Sequence, residues 1–243
     1  CVERMKGEGK KIPDWIEEMI SKNISSFYSY NEGSKVFYDV ASGQYQALSV
    51  NDKELSFSAL KKKNNLIKKD WSASVVDLGD GVAGVEFHSV LKKELNPIDG
   101  SILQTIDWAL DWVEENNYKG LVISGDGANF CAGANLTMIL SMAERKDWDS
   151  IEGVTHLMQN VMQKIRFSPF PVVAAPYGLV LGGGFETIGA CDKIVAAAES
   201  YIGLVEVGVG LIPGAGGNLR MIDNLSVKNL EKTNLQAIAK NLI

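Results

Sequence analysis

Cysteine and histidine are scarce in this chain. Among 243 residues there are three cysteines, Cys1, Cys131 and Cys191, an odd number with no CxxC spacing. No disulfide framework follows from such a set, and a reduced, cytoplasmic protein is the simplest reading. The two histidines, His88 and His156, stand far apart, which argues against a zinc site, and no metal is expected. No apolar run approaches the roughly 18 residues that a membrane span needs. The opening CVERMKGEGKK has no apolar core of the kind a signal peptide carries. It begins on cysteine rather than methionine, so the chain reads as a piece of a longer one. Positive charge is also in short supply, with a formal net charge of −6. The imbalance is uneven: residues 1–70 hold 12 Lys+Arg and 10 Asp+Glu, leaving residues 71–243 with 12 against 20. A body with that excess of acid repels nucleic acid, and an anionic ligand would need a local basic group.

What remains is an ordinary globular composition, 46% hydrophobic and 22% charged, with room for one large domain or two small ones. Residues 11–21, KIPDWIEEMIS, read as a short helix with Pro13 near its start and acids in its first turn. Ile12, Trp15, Ile16, Met19 and Ile20 would share one face. KVFYDV and QYQALSV around ASG predict a β-hairpin. Residues 51–70, rich in lysine, suit a solvated linker. From residue 71 onward strands alternate with helices, the pattern of an α/β domain. ASVVDLG and GVAGVEFH read as paired strands, and DGSILQTIDWALDWVEENN as an amphipathic helix with Asp99 at its N-cap. GLVISG is a buried strand, LTMILSMAER a helix, and 154–165 another helix with an apolar face that includes Leu157, Met158, Val161, Met162 and Ile165.

The run PVVAAPYGLVLGGGFETIGACDKIVAAAESYIGLVEVGVGLIPGAGG holds the densest chemistry. An apolar strand leads into three glycines, Gly182, Gly183 and Gly184, and Glu186 follows. Glu206 lies in a second apolar, glycine-rich stretch. Carboxylates in such surroundings are costly to bury unless they serve a site. Two glycine-rich loops, FCAGANL and LGGGFE, each precede a helix and offer free N–H groups where negative charge is stabilised. Aimed at one oxygen, an amide from each makes an oxyanion hole, the equipment for chemistry beside a carbonyl.

The blocks NFCAGANL, PVVAAPYGLVLGGGFE, ACD and GLVEVGVGLIPGAGGNLRM, in that order, resemble the enoyl-CoA hydratase (crotonase) superfamily across residues 71–222. The resemblance implies a spiral of ββα units and a thioester carbonyl held by the amides of Ala134 and Gly183. It implies that Glu186 activates a water and Glu206 protonates the α-carbon of a trans-2-enoyl-CoA. Ala132, Gly133, Gly182 and Lys93 would contact the CoA thioester, with a solvated surface role for Lys93 standing equally beside that one. Acyl-CoA thioesters would be the partners, with no cofactor bound by this chain.

Three departures from the family pattern stand out. Asn135 occupies a position where aspartate is common, Thr137 one where a CoA-contacting lysine is often found, and Phe185 one where residues are usually small. After Met221 the chain is shorter than the family's helical region, so a truncated or divergent C-terminus is expected. Residues 1–70 are similar to the segment that joins a 3-hydroxyacyl-CoA dehydrogenase to a crotonase-like domain in prokaryotic β-oxidation fusion proteins. The sequence therefore divides into a tail and linker, 1–70, and a hydratase domain, 71–243. NAD is expected only for a dehydrogenase unit outside this chain, since Gly208 and Gly210 are followed by Pro213 where a third glycine of the dinucleotide fingerprint belongs. The missing dehydrogenase domain and a homo-oligomer are possible further partners. Two other functions compete with hydration: a Δ3-Δ2 enoyl-CoA isomerase, which works with a single acid, and a non-catalytic acyl-CoA-binding or assembly module. Cys131, Cys191, His88 and the methionines of helix 154–165 read as packing residues.

Overall fold

A computed structural model of the chain describes residues 2–31, 34–48, 54–90 and 92–228. The chain packs as two units, Cys1–Leu55 and Ser56–Ile243. In the first, helices α1 (Val2–Gly7) and α2 (Asp14–Ser21) precede strands β1 (Tyr28–Asn31), β2 (Ser34–Asp39) and β3 (Gln44–Ala47). Pro13 stands immediately before α2, where its missing N–H is no loss. The expected hairpin is present: β2 and β3 pair antiparallel from Val36↔Ala47 to Asp39↔Gln44. The Asp39 carboxylate stiffens its turn by accepting from the Ala41 and Ser42 amides at 3.2 and 3.1 Å. A third strand, β1, was not foreseen; it adds to β2. The apolar face expected for α2 is only half used, because Ile12 and Met19 are buried while Trp15 and Ile20 are exposed.

The second unit begins fifteen residues earlier than the sequence divides. Residues 51–70 were expected to form a solvated linker. Instead, among the described residues, 57–62 form α3 (Phe57–Lys62) and 66–69 form β4 (Leu66–Lys69), the edge strand of the main sheet. Three contacts seat α3. The Asp126 carboxylate accepts from Phe57 N, Ser58 N and Ser56 Oγ at 3.1, 2.7 and 2.8 Å. Lys61 pairs with the nearly buried Glu86 at 2.6 Å. Phe57 covers Gly84, where a Cβ would lie 2.7 Å from the ring. A lysine count cannot reveal that one of those lysines neutralises a buried glutamate.

The remaining elements follow in order: β5 (Ala73–Gly79), β6 (Val82–Phe87), α4 (Gly100–Glu115), β7 (Gly120–Ser124), α5 (Leu136–Glu144), α6 (Trp148–Arg166), β8 (Val172–Ala174), β9 (Leu179–Leu181), α7 (Gly183–Ala190), β10 (Lys193–Ile194), β11 (Tyr201–Gly203), a 3₁₀ turn (Glu206–Val209) and α8 (Gly217–Lys228). The sheet runs β10-β8-β7-β6-β5-β4, and β9 pairs with β11 in a separate ribbon. Strands β4, β5 and β6 are antiparallel neighbours; β6, β7, β8 and β10 run parallel. The β5–β6 turn is an Asp80-Gly81 pair with φ of +55° and +76°, the left-handed geometry that suits a tight hairpin. Helix α4 buries Ile102, Leu103, Ile106, Ala109, Leu110 and Val113 at helical spacing, and Asp99 caps it by accepting from Ile102 N at 3.0 Å. The expected alternation of strands and helices is thus present. Cys131 and Cys191 are buried, and burial pushes both thiols up to about 12, so neither is a nucleophile at neutral pH. His88 packs as expected, its Nε2 2.7 Å from Ser74 Oγ.

Candidate functional site

Residues 131–135 form a short extended stretch clamped between two others. On one side Cys131 N donates to Leu179 O at 3.0 Å and Leu181 N to Cys131 O at 2.9 Å. On the other side Ala132 N donates to Leu95 O, Ile98 N to Gly133 O, and Asn135 N to Ile98 O, at 2.8, 2.8 and 3.2 Å. Two amide side chains hold the frame, buried Asn96 and half-buried Asn129. Asn96 accepts from Ser89 N and donates to the Phe87 and Asn129 carbonyls. Asn129 accepts from Leu179 N and donates to Glu94 O. These stapling contacts link residues 33 to 50 positions apart in part, so spacing along the chain carries no sign of them.

The clamp decides which loop amides are available. The N–H groups of Ala132, Gly133 and Gly182 are taken internally, by Leu95 O, Cys131 Sγ and Gly203 O. These three residues, expected as substrate contacts, use their amides to shape the loops. Ala134 and Gly183 N–H donate to no described residue. They also lie close together: a Cβ built on Gly183 would be 3.8 Å from Ala134 N, and one on Gly133 would be 3.8 Å from Gly183 N. Gly182 reaches this approach with φ +52°, and Gly183 opens α7, whose N-terminal end favours negative charge. Gly184 permits close packing of the two loops, because a Cβ there would sit 2.7 Å from Cys131 O.

The two glutamates stand around this point. Glu186, in the first turn of α7, is 3% exposed. Its Oε1 accepts from Ala215 N at 2.8 Å and Gly217 N at 2.9 Å, while Oε2 accepts from no described residue. The glycine-rich PGAGG loop is therefore a third amide-bearing loop, but it serves the protein's own carboxylate. Glu206 starts the 3₁₀ turn and accepts from Val205 N through Oε2 at 2.8 Å. Its Oε1 lies 3.4 Å from where a Gly182 Cβ would be, one residue from the free Gly183 amide. Burial lifts the Glu186 carboxyl above its ordinary range and the Glu206 charge adds to this, while the Gly217 and Ala215 amides and Arg220 oppose it.

That raised value has a consequence for stability. The folded chain holds the Glu186 proton more tightly than the unfolded chain does, so its contribution falls as pH rises from the usual carboxylate range through the folded value. Above that window the ionised, buried group is a net cost. Glu186→Gln keeps both amide contacts and removes the charge, so it is expected to raise stability at neutral pH, on the order of 1 kcal/mol. The gain is expected to vanish below the usual carboxylate range. Thermal melts of both forms across pH measure it; a Gln variant less stable at pH 7 than at pH 4, relative to the parent, contradicts the sign.

An open groove of about 490 Å³ is lined by Lys92, Asn135, which follows Ala134 in the chain, Thr137, Met138, Ser141 and Arg145. Lys92 and Arg145 bring positive charge to it. Lys93, the lysine expected at this site, is exposed in the adjoining turn and is not part of the lining. Asn135 accepts from Met138 N at 3.3 Å and so caps α5. Among the described residues no three His, Cys, Asp or Glu side chains cluster as metal ligands, and no helix is long and apolar enough to cross a membrane.

A family model described as enoyl-CoA hydratase/isomerase matches residues 78–237. A Bacillus subtilis protein named a probable 3-hydroxyacyl-CoA dehydrogenase is 44% identical over 222 residues, covering 91% of this chain and 27% of the relative. The fatty acid oxidation complex subunit alpha of Aliivibrio fischeri is 36% identical over 137 residues, 54% of this chain and 20% of its own. Among solved structures, an enoyl-CoA hydratase from Bacillus anthracis superposes with a TM-score of 0.57 at 30% identity, covering 63% of this chain and 57% of that one. The chain thus spans about a quarter of the length of the curated relatives it matches.

Proposed function

This chain belongs to the enoyl-CoA hydratase/isomerase family, and from that premise we propose that it hydrates trans-2-enoyl-CoA thioesters in fatty-acid β-oxidation, as one part of a protein that also carries a 3-hydroxyacyl-CoA dehydrogenase. The observation that carries the reading is the meeting of two unoccupied amides, Ala134 and Gly183, with two carboxylates, Glu186 and Glu206.

The step runs as follows. The thioester oxygen accepts from Ala134 and Gly183 N–H, which draws electrons from the double bond and leaves the β-carbon electrophilic. Glu186 Oε2 takes a proton from water as the water oxygen bonds to the β-carbon. The π pair moves to the thioester oxygen, forming an enolate held by the two amides. As the enolate collapses, Glu206 delivers a proton to the α-carbon. Protonated Glu186 and ionised Glu206 then re-equilibrate, so that water has been added overall. The step needs one carboxylate charged and the other protonated. Burial and the Glu206 charge raise the Glu186 carboxyl while two amides and Arg220 pull against them, and a carboxylate raised in this way is the stronger base. The chain's own step needs no cofactor; NAD belongs to the dehydrogenase unit.

The groove offers a place for the CoA moiety, with Lys92 and Arg145 as counter-charges for its phosphates. Neither residue approaches the reacting atoms in this scheme, so each →Ala change is expected to raise KM by about 3–10-fold at unchanged kcat, an effect that shrinks as salt rises. Steady-state kinetics at two ionic strengths measures this, with Lys93→Ala as the contrast. A larger KM change for Lys93 than for Lys92 would return the assignment to Lys93.

The function itself is tested with crotonyl-CoA. Loss of its enoyl-thioester absorbance, with 3-hydroxybutyryl-CoA as product, is expected. An inert response with turnover of a 3-enoyl-CoA means isomerisation, and binding without turnover means a carrier role.

A further inference from the structure

Glu186 depends on a loop, and the loop depends on Arg220. Residues 215–217 donate two N–H groups, from Ala215 and Gly217, to a single oxygen of Glu186. Alternate peptides of a short segment can both point inward only when the peptide between them turns away. Gly216 makes that turn with φ +95°. The carbonyl of the intervening peptide, Ala215 O, accepts from Arg220 Nη1 at 2.6 Å on the far side. Such a concavity of successive amides is an anion-binding nest, here filled by a side chain of the same chain.

Arg220 is well fixed for this task. It lies in the first turn of α8, and its own amide donates to Gly216 O at 3.0 Å. Its stem passes α7 at Gly189, where a Cβ would lie 3.8 Å from Arg220 Cδ. The guanidinium lies so close behind Gly216 that a Cβ there would be 2.9 Å from Nη1. It is partly buried, and ionised at any working pH.

We propose that Arg220 is a positioning residue for hydration, locking the amide nest that grips Glu186 Oε1 and placing a permanent positive charge behind that carboxylate. This rests on the proposed role of Glu186 as base. The grip on Oε1 leaves Oε2 with no partner among the described residues, and the charge opposes the upward push that burial and Glu206 exert on the carboxyl. The charged groups in this neighbourhood are few. Glu186 faces Glu206 from the 3₁₀ turn and Arg220 from α8; Arg220 in turn faces Arg166 from α6 and Cys191 at the end of α7. Arg166 is drawn partly toward Asp223, 3.7 Å away. Glu206 pushes the Glu186 carboxyl up and Arg220 pulls it down, so removing Arg220 leaves the upward push unopposed by any other side-chain charge among these groups.

The test compares Arg220→Gln and Arg220→Lys in the full chain, with the Glu186 carboxyl followed by ¹³C NMR titration and kcat followed across pH. Arg220→Gln is expected to lower kcat about tenfold with KM within threefold, to move the acid limb of the kcat profile to higher pH, and to move the Glu186 titration the same way. Arg220→Lys keeps the charge and is expected to return the limb most of the way. Should Arg220→Gln fail to fold, Arg220→Lys and Gly216→Ala carry the test. The former is expected to leave the Glu186 titration nearly in place. The latter crowds the guanidinium and is expected to raise it. An unmoved limb and an unmoved titration in Arg220→Gln or Gly216→Ala overturn the proposal, even if kcat drops. Glu186→Gln, measured alongside, separates the two layers. Normal turnover by that variant sinks the base role, whereas a shifted Glu186 titration would still attest the Arg220 grip.

Discussion

Glu206→Gln is expected to reduce crotonyl-CoA hydration by about 10²–10⁴-fold, the range typical for loss of a positioned proton donor. Gln is nearly isosteric and keeps an oxygen that can accept from Val205 N, so the 3₁₀ turn should stand. What is lost is the proton for the α-carbon. Acyl-CoA affinity is expected to stay within a few-fold of the parent, because the oxyanion amides and the groove are untouched. Glu186→Gln is expected to lose activity to a similar degree for a different reason, since an amide cannot accept the water proton. Kinetics with crotonyl-CoA and titration with a non-reactive saturated acyl-CoA measure the two quantities separately. Turnover of Glu206→Gln at the parent rate would remove Glu206 from the mechanism.

Gly183→Pro carries the second large effect. A main-chain donor can be deleted only by replacing the residue that bears it with proline, and here the position allows the exchange. Gly183 is the first residue of α7, where proline's missing N–H breaks no helical bond. The new side chain does meet Met158 Cε at about the 2.8 Å of a built Cβ, the flexible end of a side chain, and Ile98 Cδ1 at 3.4 Å. Gly183→Ala meets the same atoms and keeps the amide, so it is the matched control. The Pro variant is expected to fall about 10²–10³-fold in kcat below the Ala variant, the cost of losing one oxyanion donor. Circular dichroism and thermal melts establish that both fold. Equal kcat in the two variants would show that the thioester oxygen is held elsewhere.

These predictions rest on features with very different visibility in the sequence. The glycine triplet, Glu186, Glu206 and the loop before α5 were legible because each is a local pattern: close backbone approach requires glycine, and a carboxylate among apolar residues stands out. The Asp99 cap and the apolar stripe of α4 were legible for the same reason, since capping and helical periodicity act within a few residues. The lysine-rich stretch misled. Lys61 looked solvated because its partner, Glu86, is 25 positions away, and LIKK was too short and too polar to announce an edge strand. The front unit's third strand was missed because YSYN, although its tyrosines alternate with polar residues, is only four residues long. The groove is lined by Lys92, not by the expected Lys93. The turn at 92–96 closes on the positive φ of Asn96, and sequence similarity does not show which way each lysine leaves that turn.

By itself the sequence determined the kinds of groups available: main-chain donors at glycine-rich helix starts and two carboxylates in apolar stretches. Only the tertiary structure decided how they are used. It gave away the amides of Ala132, Gly133 and Gly182 to internal acceptors, left those of Ala134 and Gly183 open, and set Glu186 in a nest held by Arg220. The physical reason is that a hydrogen bond is satisfied in space. Whether an N–H is free depends on which carbonyl folding brings within about 3 Å of it, and for most of these groups that carbonyl comes from another part of the chain.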